Sequence, residues 1–177
     1  MRKARRISSG GQYHVVARAN RREFILGSDA MKQLFMETIE RAKRKFSFTV
    51  TNICIMDNHF HLMITPGPNE SLSRIMQWIL SVFAIRFNKL LGVQGHVWYD
   101  RFKSRIISSL RQFIATFDYI TANPVRAKMV YRSENYRYSG HRLLLDGPPG
   151  VVDNPGLLVQ LLFPGFGCTR TNPLLTD

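Results

Sequence analysis

Two histidines separated by one residue could bind a divalent metal ion. His59 and His61 flank Phe60, and the apolar alternation continues with Leu62 and Ile64. Such alternation predicts a β-strand, in which side chains two residues apart lie on the same face. The two imidazoles would then lie side by side, each offering a ring nitrogen to one ion. A Mg²⁺ or Mn²⁺ ion prefers about six ligands, mostly oxygen atoms, so the pair needs further ligands.

A second polar group recurs at helical spacing later in the chain. A helix is predicted after Ser108 or Ser109, with an apolar stripe formed by Phe113, Ile114, Phe117 and Ile120. Tyr119 and Asn123 lie one turn apart on the opposite face if the helix continues that far. A phenol oxygen and an amide oxygen could then lie near the same metal ion. Pro124 follows directly and predicts a bend or an end there, because proline disfavours helical geometry in the residue before it.

The charge of the chain predicts an anionic partner. Its 177 residues include 25 Lys and Arg against 12 Asp and Glu, a net charge of +13. Nucleic acid is the partner most often associated with such an imbalance, and a membrane surface is the alternative. We expect no membrane partner, because no apolar run approaches about 18 residues. Cys54 and Cys168 form no metal or redox motif, which favours a reducing, cytoplasmic location.

The order of the predicted elements favours a ferredoxin-like α+β sandwich with a central antiparallel sheet. Strands are predicted at residues 12–19, 48–56, from 59 onwards and at 104–107. Capping residues mark the predicted helix boundaries: Ser28, Ser71 or Ser73, Gly92, and Ser108 or Ser109. The additional C-terminal helix would cover the histidines. We expect a basic arm at 1–11, one folded domain at 12–142 and a Gly- and Pro-rich tail at 143–177 that docks loosely.

Basic and aromatic residues alternate in the segment 98–105, WYDRFKSR. Aromatic rings can stack on unpaired bases while cations pair with phosphates, as single-stranded nucleic acid sites require. A merely solvated basic face is the alternative interpretation. The predicted DNA-binding residues are Arg18, Arg21, Arg22, Trp98, Arg101, Lys103, Arg105 and Arg126.

These motifs together resemble a known family. The sequence MDNHFHL at 56–62 is similar to the His-hydrophobic-His signature of the HUH nucleases, in the form found in their single-tyrosine transposase branch. The sequence YITANPVRA at 119–127 resembles the tyrosine helix of the REP-associated tyrosine transposases. WYDRF at 98–102 and YHV at 13–15 also match that group, so the resemblance covers roughly residues 12–142.

The resemblance implies a DNA transposase that cleaves and rejoins single-stranded DNA, often beside a hairpin or repeat. Tyr119 would be the nucleophile that forms a 5′-phosphotyrosine link. His59, His61 and Asn123 would bind Mg²⁺ or Mn²⁺, although other single-tyrosine branches have Gln at the last position. Family members can also form homodimers. A phenol has a pKa near 10, so a metal ion that stabilises charge on the phosphate would assist the attack.

Two other functions fit parts of the sequence. A non-catalytic nucleic-acid-binding module could use the same ferredoxin-like sheet, but such sheets usually present aromatic residues where this chain has histidines. A metal-stabilised structural protein would lose its fold on chelation.

Overall fold

Four strands form one antiparallel sheet in the order β2-β3-β1-β4. They are β1 (Gln12–Arg18), β2 (Phe48–Ile55), β3 (His59–Pro66) and β4 (Lys103–Ile107). The computed structural model describes residues 10–147, 150–154 and 156–166. β2 and β3 form the predicted hairpin, and β1 lies between β3 and β4. The order of strands and helices confirms the predicted ferredoxin-like fold.

Two long helices cover one face of the sheet. They are α1 (Asp29–Lys45) and α2 (Leu72–Leu91), which pack against each other. The hydroxyls of Ser28 and Ser71 accept hydrogen bonds from the first turns of α1 and α2, as N-caps do. Gly92 ends α2 in the left-handed region with φ 64°, where glycine has no Cβ to clash. These three predicted boundaries are confirmed.

The opposite face of the sheet is covered by α3 (Leu110–Arg126), which packs mainly against β2. Phe113, Phe117 and Ile120 on its apolar stripe are buried. The interruption expected at Pro124 is wrong, because the helix continues through it to Arg126. Burial of the stripe offsets the one backbone hydrogen bond that proline removes. Tyr119 and Asn123 therefore share a continuous helix.

The described part of the segment after residue 142 packs firmly on the domain, which corrects the expected loose docking. It contains the end of α4 (Gly140–Asp146) and all of α5 (Leu157–Leu162). Phe163 stacks on Phe117 with ring centroids 4.1 Å apart, and Val151 is fully buried. Asp153 accepts hydrogen bonds from Lys43 Nζ and the backbone N–H of Val50. Hydrophobic burial and these charged hydrogen bonds make it part of the domain core.

Some predictions lie outside the described residues. These are residues 1–9 of the expected basic arm and the end of the tail, which includes Cys168. Cys54 is buried, and burial raises the pKa of its thiol to about 12. Within the described ranges, no helix has both the length and the apolar character needed to span a membrane.

Candidate active site

Strand register brings the histidines and several basic residues onto one face of the sheet. Residues paired directly across neighbouring strands point to the same side. β1 pairs Arg18 with His59 and Val16 with His61. On its other edge, β1 pairs Val16 with Lys103. The face opposite α1 and α2 therefore carries the histidines beside cationic side chains.

Tyr119 lies next to the histidine pair. The ring centroids of His59 and His61 are 5.0 Å apart, and the ring of Tyr119 lies 5.3 Å from that of His61 in an edge-to-face arrangement. His61 is buried, whereas Tyr119 keeps 40% of its surface exposed. The structure thus brings Tyr119 beside a histidine pair that lies about 60 positions earlier in the sequence. It also leaves the phenol accessible to a large substrate.

Each histidine has one ring nitrogen engaged within the protein. His59 Nδ1 lies 2.7 Å from Oδ1 of Asn58, an atom that can only accept a hydrogen bond. The proton of His59 is therefore on Nδ1, and Nε2 carries the lone pair. Nε2 of His61 is buried and has no hydrogen-bond partner among the described residues. A buried nitrogen without a partner is costly, and a metal ion would satisfy it.

Burial keeps both imidazoles neutral. Burial, together with the nearby Arg18 guanidinium, lowers the pKa of His59 to about 4. Burial, together with the neighbouring His59, His14 and Arg18, lowers the pKa of His61 to about 3. Desolvation disfavours the charged form, and a neighbouring cation acts in the same direction. Near neutral pH the histidines therefore offer lone pairs rather than protons, which is the state a metal ligand needs.

Asn123 is buried one turn after Tyr119. Its Nδ2 donates a hydrogen bond to the backbone oxygen of Tyr119 at 2.9 Å, which assigns the remaining amide atom, Oδ1, as the one able to bind a cation. In the part of the chain that the structure describes, no three His, Cys, Asp or Glu side chains cluster as a metal site. The roles of His59, His61 and Asn123 as metal ligands therefore stay predictions.

A cleft of about 690 Å³ opens beside these residues, between β4 and α3. Its lining includes His61, Tyr119, Lys103 and Arg105. Gln112 and Thr116, from the polar face that the helical spacing predicts, also line it. The cleft therefore joins the accessible tyrosine to a basic wall that could hold a phosphate backbone.

The structure places seven of the eight predicted DNA-binding residues at or near two clefts, and Trp98 apart from them. Arg18, Lys103 and Arg105 lie on the site face and are exposed, and the guanidinium of Arg126 lies 5.6 Å from the ring centre of Tyr119. Arg21, Arg22 and Arg101 line a second cleft, of about 510 Å³, that Arg18 and Lys103 share.

Trp98 is half-buried and packs against the core. Its Nε1 donates a hydrogen bond to the backbone oxygen of Leu80, and its ring contacts Phe60 and Phe83. These contacts give Trp98 a structural role, and its predicted contact with DNA stays a prediction. Tyr99, next in the chain, is 74% exposed in the second cleft and offers an aromatic ring for stacking.

Three residues that the sequence did not single out hold the site. His14 contacts His61, Asn58 contacts His59, and Asn52 binds α3. The role of His14 could have been found from the alternation in β1. Tyr13, Val15 and Ala17 are buried on the side of α1 and α2, so His14 lies on the face that carries the histidines. The other two partners depend on three-dimensional register.

The fold and the cleft define a ferredoxin-like protein with a polar site between its sheet and a covering helix. A sequence profile then gives the family: the chain belongs to the IS200-like transposases, whose profile matches residues 7–123. The matched segment includes both histidines, Tyr119 and Asn123. The suspected transposase family is thereby confirmed, and the protein is a transposase-family protein that acts on DNA.

One solved structure supports the fold, and a second is similar to a smaller extent. A REP-associated tyrosine transposase bound to a REP hairpin is similar with a TM-score of 0.70 and 22% identity, over 88% of this chain and 93% of that one. A protein of Deinococcus radiodurans R1, provisionally described as a transposase, has a TM-score of 0.45 and 14% identity, over 73% and 92% of the two chains. Among curated protein sequences no match is found.

Proposed function

We propose that this protein is a metal-dependent transposase that cleaves and rejoins single-stranded DNA through a covalent 5′-phosphotyrosine. One observation carries the proposal: the accessible ring of Tyr119 lies 5.3 Å from that of His61, whose Nε2 is buried without a partner among the described residues. The proposed nucleophile and the proposed metal-binding atom thus belong to adjacent residues that line a basic cleft.

The donor atoms fit a divalent ion of the Mg²⁺ or Mn²⁺ type. His59 and His61 would bind it through Nε2, and Asn123 would add Oδ1. When bound, the ion stabilises negative charge on the phosphate and aligns it for in-line attack. Oxygen atoms from water and the DNA phosphate would complete a coordination shell that two histidines and one amide leave open.

Tyr119 forms and breaks the covalent bond. Its Oη attacks the scissile phosphorus, the bond from phosphorus to the 3′ oxygen breaks, and the phenol proton passes to solvent. The 3′ oxygen leaves as a hydroxyl after taking up a proton, and the 5′ phosphate stays on the tyrosine. Attack by a DNA 3′-hydroxyl reverses these steps and releases Tyr119. The bond energy is retained in the phosphotyrosine, so rejoining needs no nucleotide cofactor.

The basic wall would hold the DNA strand across the site. Lys103 and Arg105 are exposed on β4 beside the cleft, and Arg126 lies against Tyr119. Positive side chains along one groove bind the phosphate backbone without regard to sequence. The similar REP-associated transposase is bound to a REP hairpin, and we propose hairpin or repeat DNA as the substrate here too. One chain supplies the histidines and the tyrosine, so the reaction does not require a second copy.

The test is formation of a covalent adduct. The protein is incubated with single-stranded DNA carrying the repeats that flank its own gene, with Mg²⁺ or Mn²⁺, and adducts are resolved on a denaturing gel. Tyr119→Phe should form none. Tyr131→Phe is the matched control, because Tyr131 is fully exposed and lies outside the cleft. An adduct that persists in Tyr119→Phe would show that another residue is the nucleophile.

Chelation separates the proposal from a non-catalytic binding module. EDTA or His61→Ala should abolish the adduct while single-stranded DNA binding, measured by fluorescence anisotropy, is largely kept. A binding module would show anisotropy changes and no adduct under any condition. A metal-stabilised structural protein would instead unfold in EDTA, visible as a loss of circular dichroism.

A further inference from the structure

His14 contacts the more deeply buried of the two site histidines. Its Nε2 lies 2.9 Å from Nδ1 of His61, and the two rings stack with centroids 5.2 Å apart and planes 26° apart. The ring of His14 also lies 5.9 Å from that of Tyr119. His14 thus lies between the strand that carries the histidines and the helix that carries the tyrosine.

We propose that His14 is a positioning residue that accepts the Nδ1 proton of His61 and so holds the Nε2 lone pair of His61 ready for a metal ion. The inference rests on the metal-dependent reaction proposed above and adds a residue to it. Neither the family match nor the sequence pattern assigns this role to His14.

The chemistry of a neutral imidazole makes the hydrogen bond decisive. Such a ring carries one proton, so placing it on Nδ1 leaves Nε2 free to bind a cation. If His14 were the donor instead, the proton of His61 would be on Nε2. That N–H would be buried without an acceptor among the described residues, which is unfavourable. Donation from His61 to His14 avoids that cost once a metal ion is bound.

The second histidine shows the same arrangement. His59 directs Nδ1 to Oδ1 of Asn58 at 2.7 Å, which likewise leaves Nε2 free. Metal-binding histidines commonly donate their other ring proton to such a partner, and loss of the partner weakens metal binding about 10–100-fold. The two site histidines thus each have a partner for Nδ1, one supplied by the preceding residue and one by the neighbouring strand.

The register of the sheet makes His14 the residue of β1 that can accept a hydrogen bond from His61. Val16 is paired directly with His61 and has no side-chain acceptor, whereas His14 lies diagonally across, two residues along β1. Diagonal neighbours about 7–8 Å apart are within reach of long or aromatic side chains. An imidazole at position 14 spans that distance, and a shorter side chain would not.

Mn²⁺ affinity of the full chain tests the proposal, measured from the free-ion signal in electron paramagnetic resonance. His14→Phe keeps a ring but removes the acceptor, and should weaken Mn²⁺ binding about 10–100-fold. His14→Gln restores an acceptor oxygen at similar reach and should recover most of the affinity. His96→Phe, at an exposed histidine outside the site, should bind as the wild type does.

The outcomes separate the two proposals. If His61→Ala loses Mn²⁺ and His14→Phe does not, the positioning role is overturned while the metal site stands. If the wild type binds no Mn²⁺, the metal site fails and the positioning role with it. Long-range ¹⁵N–¹H spectra of the metal-free wild type give an independent readout, even if His14→Phe does not fold. The expected His61 tautomer carries its proton on Nδ1, and a proton on Nε2 would refute the inference.

Discussion

The side chain of Asn52 on β2 is bonded to the backbone of Phe117 on α3: its Nδ2 lies 3.3 Å from the Phe117 oxygen. The same Nδ2 lies 3.0 Å from Thr121 Oγ1, and Oδ1 accepts the N–H of Ile53 at 2.8 Å. Asn52 is fully buried, so these bonds are shielded from water. They join the sheet to the helix on either side of Tyr119, and therefore fix where the phenol lies relative to the histidines.

Replacing Asn52 with alanine should weaken both the fold and the reaction. The substitution leaves the N–H of Ile53 without its side-chain acceptor and removes the bonds to α3, which should lower the free energy of unfolding by about 1–3 kcal/mol. It also frees α3 to shift, so adduct formation through Tyr119 should slow. Ile39→Val, a substitution of a buried residue on α1 that should cost about 1 kcal/mol, controls for stability alone. Equal adduct rates in the two variants, measured well below their melting temperatures, would contradict a positioning role for Asn52.

The ion pair between Lys32 and Asp57 should stabilise the turn that leads into β3. Lys32 Nζ lies 2.7 Å from Asp57 Oδ1, and the lysine side chain is only 4% exposed. Asp57→Asn leaves a buried ammonium without its counterion, and should lower the free energy of unfolding by about 2 kcal/mol in urea titrations. Glu134→Gln, which breaks an exposed pair with Arg132, should change it by less than about 1 kcal/mol. Equal effects would show that burial does not set the strength of the first pair.

Local patterns are sufficient to predict much of the fold and the shared location of the candidate site residues. Ser28, Ser71 and Gly92 act through hydrogen bonds or backbone angles within a few residues of themselves, so their roles can be read directly. The alternation around His59 and His61 likewise fixes their shared face before any partner is known. Tyr119 is predictable because helical spacing sets its side relative to the apolar stripe.

The supporting residues could not be predicted, because their partners are set by tertiary contacts. Asn52 is one polar residue in a strand until α3 packs over it, and Trp98 resembles a surface aromatic until it is seen against Phe60 and Phe83. A local rule predicts a helix interruption at Pro124, and packing of the apolar stripe overrides that rule.

Metal-free stability should fall as the pH is lowered from 7 to 5. The pKa values of His59 and His61 are lowered to about 4 and about 3, whereas an unfolded histidine titrates near 6.5. In this range the unfolded chain takes up protons that the folded chain does not, so the free energy of unfolding decreases with falling pH. Each histidine contributes at most about 1.4 kcal/mol per pH unit. In urea titrations with EDTA, His61→Gln should flatten this dependence; an unchanged slope would mean that His61 is already protonated in the fold.

Single-stranded DNA binding should depend on the charges of β4 more than on charges elsewhere. Lys103 and Arg105 are exposed beside the cleft, whereas Arg44 is exposed on α1, which covers the other face. Removing one cation that pairs with a phosphate should reduce the slope of log affinity against log salt by about 0.7. Lys103→Gln and Arg105→Gln should show that reduction in anisotropy titrations across salt concentrations, in EDTA to prevent cleavage. Arg44→Gln removes the same charge and should leave the slope near the wild-type value. Equal reductions in all three variants would indicate that net charge alone attracts DNA, and that the strand does not follow the cleft beside Tyr119.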